Sequence, residues 1–134
     1  MQTALDGNAT TAAVLQAFTR LGLGVLVPFG GGQPYDLVVD LSKRFSTGAC
    51  KTARLRDGCL IFNSRTTDHG RGRLPYLGLA DVFGAHFASS GAVYVVPVRE
   101  ATSFYVKLRL QPARNNQRRW VRLAADYLID RWDG

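Results

Sequence analysis

Short apolar segments separated by turn residues fill the middle of the chain and restrict it to a fold built on a β-sheet. Glycine-rich turns mark the boundaries, among them residues 30–32 and the Asp57-Gly58 pair. The segments have the length of strands and are too short for stable helices. Strands are predicted over residues 24–28, 35–41, 45–54, 59–62, 80–87, 92–98 and 104–110.

A helix is predicted on each side of these strands. The first covers residues 10–21, where Asn8 or Thr10 caps its start and Gly22 ends it. Its apolar residues follow the helical period at Ala13, Val14, Ala17, Phe18 and Leu21. The second covers residues 120–132. A chain of 134 residues fits one domain, so we expect a single α+β (mixed α/β) domain over residues 1–134.

The charge of the chain favours an anionic partner. The formal net charge is +7, and arginine supplies 14 of the 17 basic residues. The planar guanidinium suits phosphate, although an arginine-rich genome would give the same composition. Two basic segments stand out: residues 51–73, and residues 107–122, which contain no acidic residue. They indicate nucleic-acid binding, with a solvated polar face as the alternative.

Nothing in the sequence indicates export or a membrane. Cys50 and Cys59 are too few for a disulfide framework. The N-terminus has no basic region followed by an apolar run, and no apolar stretch approaches the ~18 residues of a membrane span. We therefore expect a cytoplasmic protein with reduced cysteines, associated with the nucleoid and not with a membrane.

An acid and a lysine on neighbouring predicted strands suggest a catalytic site. Strand alternation places Asp36 and Asp40 on one face of their strand, and Ala49 and Lys51 on one face of the next. A hairpin could bring either acid near Lys51. The acid would hold a hard cation, and the lysine would lie beside the attacking water or the phosphate, as in metal-dependent phosphodiesterases. A strand-edge acid with a solvent-facing lysine, or a structural ion pair, is the alternative.

Ordered sequence blocks along nearly the whole chain resemble the group I intron-associated PD-(D/E)XK endonuclease family. They are VLVPFG at 25–30, YDLVVD at 35–40, CKTARLRDG at 50–58, Gly84 with VYVVPV at 93–98, LRL at 108–110, RNNQ at 114–117 and ADY at 125–127. The resemblance implies a restriction-endonuclease-like fold, with a central mixed sheet flanked by helices. It also implies Mg²⁺-dependent cleavage of double-stranded DNA, with Mn²⁺ as a possible substitute, by a homodimer or homotetramer.

The resemblance assigns roles to individual residues. Asp36 matches the metal-binding acid and Lys51 the catalytic lysine of the family motif. From its place on the Asp36 face, Asp40 is the best candidate for a further metal ligand, and Asp81 is a weaker one. The basic segments and their amides supply the candidate DNA contacts Arg54, Arg56, Arg71, Arg73, Arg114, Asn115, Asn116, Gln117, Arg118 and Arg119.

Two positions lack the side chain that the resemblance leads us to expect. Ala49 stands where family members usually carry Gln, and Thr11 stands where many relatives carry Glu. Asp36 alone would be a weak Mg²⁺ site. The sequence therefore leaves two principal functions open: a DNA endonuclease with a possibly degraded site, or an inactive DNA-binding module on the same fold. A third possible function is that of a structural oligomerisation subunit, in which the basic segments would have no role.

Overall fold

The computed structural model describes residues 2–66, 72–112 and 122–134, with side chains from residue 6 onward. Its elements follow one another as helix α1 (Gln2–Arg20), then strands β1 (Gly24–Leu26), β2 (Leu37–Asp40), β3 (Phe45–Thr52), β4 (Arg54–Arg56), β5 (Cys59–Asn63), β6 (Val82–Phe87), β7 (Ala92–Pro97) and β8 (Tyr105–Arg109). Short 3₁₀ turns cover Val98–Glu100, Ala124–Tyr127 and Ile129–Arg131.

The described strands form two sheets. The larger has the order β1-β2-β3-β6-β7, and the smaller has the order β4-β5-β8. In the larger sheet β3 pairs with β6 in parallel, whereas its other pairs are antiparallel. A parallel pair needs a crossover connection, and here that connection carries β4 and β5. The α+β class with a central mixed sheet is confirmed.

Each face of the larger sheet is covered by a different layer. On one face α1 contributes Val14 and Phe18, which pack in one buried cluster with Leu37 and Val39 of β2. On the other face the smaller sheet contributes its inner side chains, including Leu60 and Leu108. In that second cluster they join Ala49, Phe83, Ala85 and Val96 of the larger sheet. The sheet is thus buried on both sides along its centre.

Helix α1 is longer than the predicted segment. It begins at Gln2 and not at Asn8 or Thr10, because Gly7 and Asn8 are accommodated within the helix. Thr10 does not act as a cap; its hydroxyl lies 2.6 Å from the Thr52 hydroxyl of β3. Gly22 follows the helix end at a φ of +83°, as a helix C-terminus favours. No helix in the described part of the chain is long and apolar enough to cross a membrane.

The predicted strand 45–54 is two strands that belong to different sheets. The chain passes from the larger to the smaller sheet at Ala53, whose N–H donates to the carbonyl of His86 (2.9 Å) and whose side chain is buried. The hairpin that follows was predicted correctly. Asp57 and Gly58 both have positive φ, 52° and 75°, as a two-residue turn between β4 and β5 requires.

The predicted C-terminal helix over residues 120–132 is wrong where the structure describes it. Leu123 and Leu128 are extended and form single β-bridges with Arg109 and Tyr94, one in each sheet. The 3₁₀ turns between and after them bury Ala124 and Ile129. Contacts with both sheets therefore override the helical spacing of the apolar residues, because extended leucines reach neighbours that a helix could not.

Candidate active site

Asp36 is fixed at the point where the β2–β3 ladder ends. The last paired residues are Leu37 and Gly48, and the Asp36 N–H extends the ladder by donating to the Gly48 carbonyl (2.9 Å). Beyond the end of the ladder, the Asp36 side chain and not its backbone bonds to β3: Oδ2 accepts the N–H of Cys50 at 2.7 Å. The residue is exposed, and its Oδ1 accepts no hydrogen bond among the residues that the structure describes. Within the described part of the chain, the site therefore presents one anchored carboxylate oxygen and one that is available.

Lys51 is held from two sides. Its side chain is half-buried, and Nζ donates to the backbone carbonyl of Arg65 (2.9 Å). The same nitrogen lies 4.7 Å from the centre of the Tyr76 ring, within the range of a cation–π contact. A lysine ammonium has three donors, so two N–H bonds remain after the bond to Arg65.

The charges of Asp36 and Lys51 act on each other without a direct ion pair. Burial lowers the pKa of Lys51 to about 8, the Asp36 carboxylate opposes this shift, and the Arg73 guanidinium adds to it. The structure thus brings Asp36, Lys51 and Arg73 into one electrostatic neighbourhood. With a pKa of about 8, Lys51 is mostly protonated at neutral pH but gives up its proton more readily than an exposed lysine.

The segment after β5 supplies both supports of Lys51. Asn63 Oδ1 accepts the Arg65 N–H (2.7 Å), and Arg65 forms a β-bridge with Pro75, which directs the chain back to Tyr76. The Tyr76 ring packs edge-on against Phe83 at 5.3 Å between ring centres. Burial and the Asp36 carboxylate raise the pKa of the Tyr76 hydroxyl to about 12. Sequence reasoning missed Tyr76; an aromatic residue ending an otherwise polar segment was the available signal.

The residues at the two positions that lack the expected side chain have other roles. Ala49 is fully buried in the cluster beneath the smaller sheet. Thr11, on α1, acts on the Cys50 thiol, whose pKa its side chain lowers, on the helix-covered face of the larger sheet. Burial, and then the Asp36 charge, raise the pKa of that thiol to about 12. Cys50 is therefore protonated at neutral pH and is no nucleophile.

The family follows from comparison with known proteins. A family model described as PD-(D/E)XK endonuclease matches residues 1–130. The chain belongs to the PD-(D/E)XK endonuclease family. Among solved structures it is similar to that of a bacterial homing endonuclease, I-Ssp6803I, with a TM-score of 0.74 and 24% identity over 96% of this chain and 89% of the other. This likeness shows a shared fold. Comparison with the curated proteins finds no match.

PD-(D/E)XK nucleases generally use divalent metals, and carboxylates are the side chains that could bind such an ion in this chain. Asp36 is the carboxylate beside Lys51. Asp40 lies at the opposite end of β2, about 13 Å away along the strand, and its Oδ1 accepts the Ser42 N–H (2.8 Å). Asp81 accepts the Thr47 N–H (2.9 Å). The described residues contain no group of three or more His, Cys, Asp or Glu side chains placed to hold a metal.

A weak cation site nevertheless fits this PD-(D/E)XK chain. Mg²⁺ in proteins often takes one or two carboxylates and fills its remaining positions with water and substrate phosphate. The exposed Asp36, with Oδ1 available, meets the lower limit of that requirement. Asp40 and Asp81 already accept backbone hydrogen bonds away from Lys51 and are not brought to this cluster.

The candidate DNA contacts fall into three groups. Arg73 acts electrostatically on Lys51, whose pKa it lowers. Arg54 and Arg56 are exposed on β4, in the smaller sheet. The remaining candidates lie outside the described residues: Arg71, Arg114, Asn115, Asn116, Gln117, Arg118 and Arg119.

Proposed function

We propose that this chain is a DNA endonuclease that hydrolyses phosphodiester bonds of double-stranded DNA at the Asp36–Lys51 site, with Mg²⁺ or Mn²⁺. One observation carries the proposal: an exposed carboxylate with an available oxygen and a partly desolvated ammonium lie in one electrostatic neighbourhood on the sheet. Residues 1–134 act as one domain in this proposal. As in the family it resembles, the active form is a homodimer or homotetramer, so that both DNA strands meet a site.

Each residue of the site has a distinct task. Asp36 would hold the divalent cation through Oδ1, and the cation when bound supplies Lewis-acid stabilisation of the phosphate. Lys51 donates its remaining N–H bonds to a phosphate oxygen and offsets the negative charge that develops there. Tyr76 and the Arg65 carbonyl hold the ammonium in place. Arg73 adds positive charge beside the phosphate.

A second candidate function is a DNA-binding module without catalysis. The buried Ala49 supports it, because an alanine methyl cannot supply the second oxygen ligand that a firm Mg²⁺ site uses. Thr11 supports it as well, since a hydroxyl stands there where many relatives carry a carboxylate. Retention of Asp36 and of a supported Lys51 favours the endonuclease.

Plasmid cleavage separates the two functions. Supercoiled plasmid is incubated with the wild type, with Asp36→Ala/Lys51→Ala and with Lys43→Ala, an exposed lysine in the β2–β3 turn, each with Mg²⁺ or Mn²⁺. We expect cutting by the wild type and by Lys43→Ala, and a loss of at least ~100-fold in the double variant. Salt-sensitive retardation of the plasmid without cutting would instead establish the binding module.

Cation binding gives a readout besides cleavage. Titration with Mn²⁺ alone, followed by the loss of its free paramagnetic signal, should show weak binding to the wild type. Asp36→Asn should lower the affinity by roughly tenfold or more, since a single carboxylate supplies the charge of the site. Asp40→Asn is the matched control and should bind as the wild type does. Equal losses in both variants would show that Asp40 shares in the site.

A further inference from the structure

The register of the smaller sheet collects basic residues from two distant segments onto one face. Opposite residues in the β4–β5 and β5–β8 ladders point to the same side. The pairs Arg54–Ile61, Arg56–Cys59, Ile61–Lys107 and Cys59–Arg109 therefore share the outward face. The inward face carries Leu60, Phe62, Val106 and Leu108, all buried. We call the outward set Arg54, Arg56, Lys107 and Arg109 the basic sheet face.

The positive charge of the basic sheet face is not neutralised within the described part of the chain. Ion pairs there join Arg122 to Glu100 and Arg131 to Asp126, and none involves these four cations. Asp57, in the β4–β5 turn, is the acid that borders the face. Arg54, Arg56 and Lys107 are exposed. An uncompensated cluster of this kind attracts polyanions.

The basic sheet face has the form of a shallow channel. Arg54 and Arg56 line one side on β4, and Lys107 lines the other on β8, two strand spacings or about 10 Å away. Ile61 on β5 forms the floor. A groove of about 300 Å³ lies between the rows, with Tyr105 and Asp57 at its rim. A sugar–phosphate strand lying in it would meet cations on both sides.

Hydrogen bonds connect the end of the channel to the Asp36–Lys51 site. At its other end Asn63 pairs with Tyr105, and Asn63 also holds the N–H of Arg65, whose carbonyl holds Lys51. The Arg65 guanidinium lies 4.5 Å from the Phe104 ring, beside the same end. Arg65 thus links the two regions, with its guanidinium beside the end of the channel and its carbonyl bonded to Lys51.

We propose that the basic sheet face binds the phosphate backbone of duplex DNA beside the scissile position. The proposal rests on the proposed function of the Asp36–Lys51 site and assigns a task to residues that this site does not use. Half or more of protein–DNA hydrogen bonds go to phosphate and sugar oxygens, and exposed arginine and lysine side chains are their main donors. The face therefore contributes affinity that is independent of DNA sequence and sensitive to salt.

Two triple variants with the same loss of charge test the proposal. The first is Arg54→Gln/Arg56→Gln/Lys107→Gln, which retains side chains of moderate length on the sheet. The matched control is Arg20→Gln/Lys43→Gln/Arg99→Gln, three exposed cations that lie outside the smaller sheet. Binding of a random-sequence 30-base-pair duplex is followed by fluorescence anisotropy between 50 and 200 mM NaCl, after circular dichroism has shown that each variant melts like the wild type.

The first variant should bind roughly tenfold or more weakly than the control at low salt, and the slope of log affinity against log salt should fall by ~2–3. Arg54→Lys/Arg56→Lys, which keeps the charge, should retain the wild-type slope and separates phosphate binding from a folding defect. Equal weakening in both triple variants would overturn the inference and leave the proposed function standing. A wild type that binds no duplex at all would overturn both.

Discussion

At the residue scale, the burial of Lys51 destabilises the folded protein and at the same time makes the amine easier to deprotonate. Burial lowers the pKa of Lys51 from 10.5 to about 8. Between these two pH values the unfolded chain binds a proton that the folded chain has released, so this residue makes stability rise with pH. Below pH 8 the amine is charged in both states, and the folded state bears the cost of its desolvation in full.

Lys51→Met should therefore stabilise the protein at pH 7. Methionine has a similar length, carries no charge and packs well beside an aromatic ring such as Tyr76. The expected gain is ~1–2 kcal/mol, below the full equivalent of the pKa shift at about 1.4 kcal/mol per unit, because the amine is partly solvated and loses its ring contact. Urea unfolding of both proteins at pH 7 and pH 10 measures the gain, which should shrink at pH 10.

The control is Lys43→Met, an exposed lysine in a turn, which should leave stability nearly unchanged at both values. A loss of stability in Lys51→Met at pH 7 would mean that the Arg65 and Tyr76 contacts outweigh the desolvation of the ammonium.

Strand alternation placed Asp36 with Asp40 on one face of their strand and Ala49 with Lys51 on one face of the next, because the side-chain period of a strand is two residues. It left open whether the two strands bring Asp36 and Lys51 together. It could not reveal Tyr76 or the Arg65 carbonyl, since their positions depend on hydrogen bonds made by Asn63 and on the β-bridge to Pro75. Nor could it show that Asp40 turns to the Ser42 N–H. The alternation of residues along a strand thus predicts the face to which each side chain points. The residues that surround a site depend instead on contacts between segments that are far apart in the sequence.

At the element scale, helix α1 approaches the larger sheet as closely as glycine allows. A Cβ placed on Gly84 of β6 would lie 2.6 Å from Cγ1 of Val14, which is fully buried. The backbone of β6 at Gly84 therefore packs directly against the Val14 side chain of the helix. Gly84 is one residue away from Phe83, whose ring faces the other layer, so both layers depend on this strand.

Gly84→Ala should destabilise the protein by about 1–3 kcal/mol, because neither the helix nor the sheet can move away without loss of packing. In a Val14→Ala background the same substitution should cost much less, since the conflicting methyl is gone. Chemical unfolding of the four proteins gives the coupling energy. Gly31→Ala is the control, at a position with open space and no positive φ. Additive effects of the two substitutions would contradict the close contact.

The elements themselves were predictable to different degrees. Gly22 and Asp57-Gly58 located a helix end and a hairpin, because positive φ restricts the residues that can stand there. The start of α1 and the division at Ala53 were not, since Thr10 and Ala53 take partners far along the chain. The C-terminal helix was predicted from the spacing of apolar residues alone. It is absent from the described residues because Leu123 and Leu128 also take partners far along the chain.

At the scale of the whole molecule, the C-terminal segment ties the three layers together. Leu123 bridges to the smaller sheet and Leu128 to the larger one. Tyr127 donates from its hydroxyl to Glu100 (2.5 Å), which lies in the 3₁₀ turn after β7. Trp132 packs edge-on against Phe18 of α1, with 5.2 Å between ring centres. A segment with partners in every layer couples their stability.

Trp132→Ala should therefore weaken the entire molecule and not only its end. We expect a loss of ~2–3 kcal/mol, below that of a fully buried Trp because Trp132 is partly exposed. Unfolding in guanidinium should remain a single transition, and native-state hydrogen exchange should show the same loss of protection in α1, β7 and β8. Phe29→Ala, a fully exposed aromatic, should change neither. Faster exchange confined to residues 122–134 would instead show that the segment frays alone and that the three layers are stable without it.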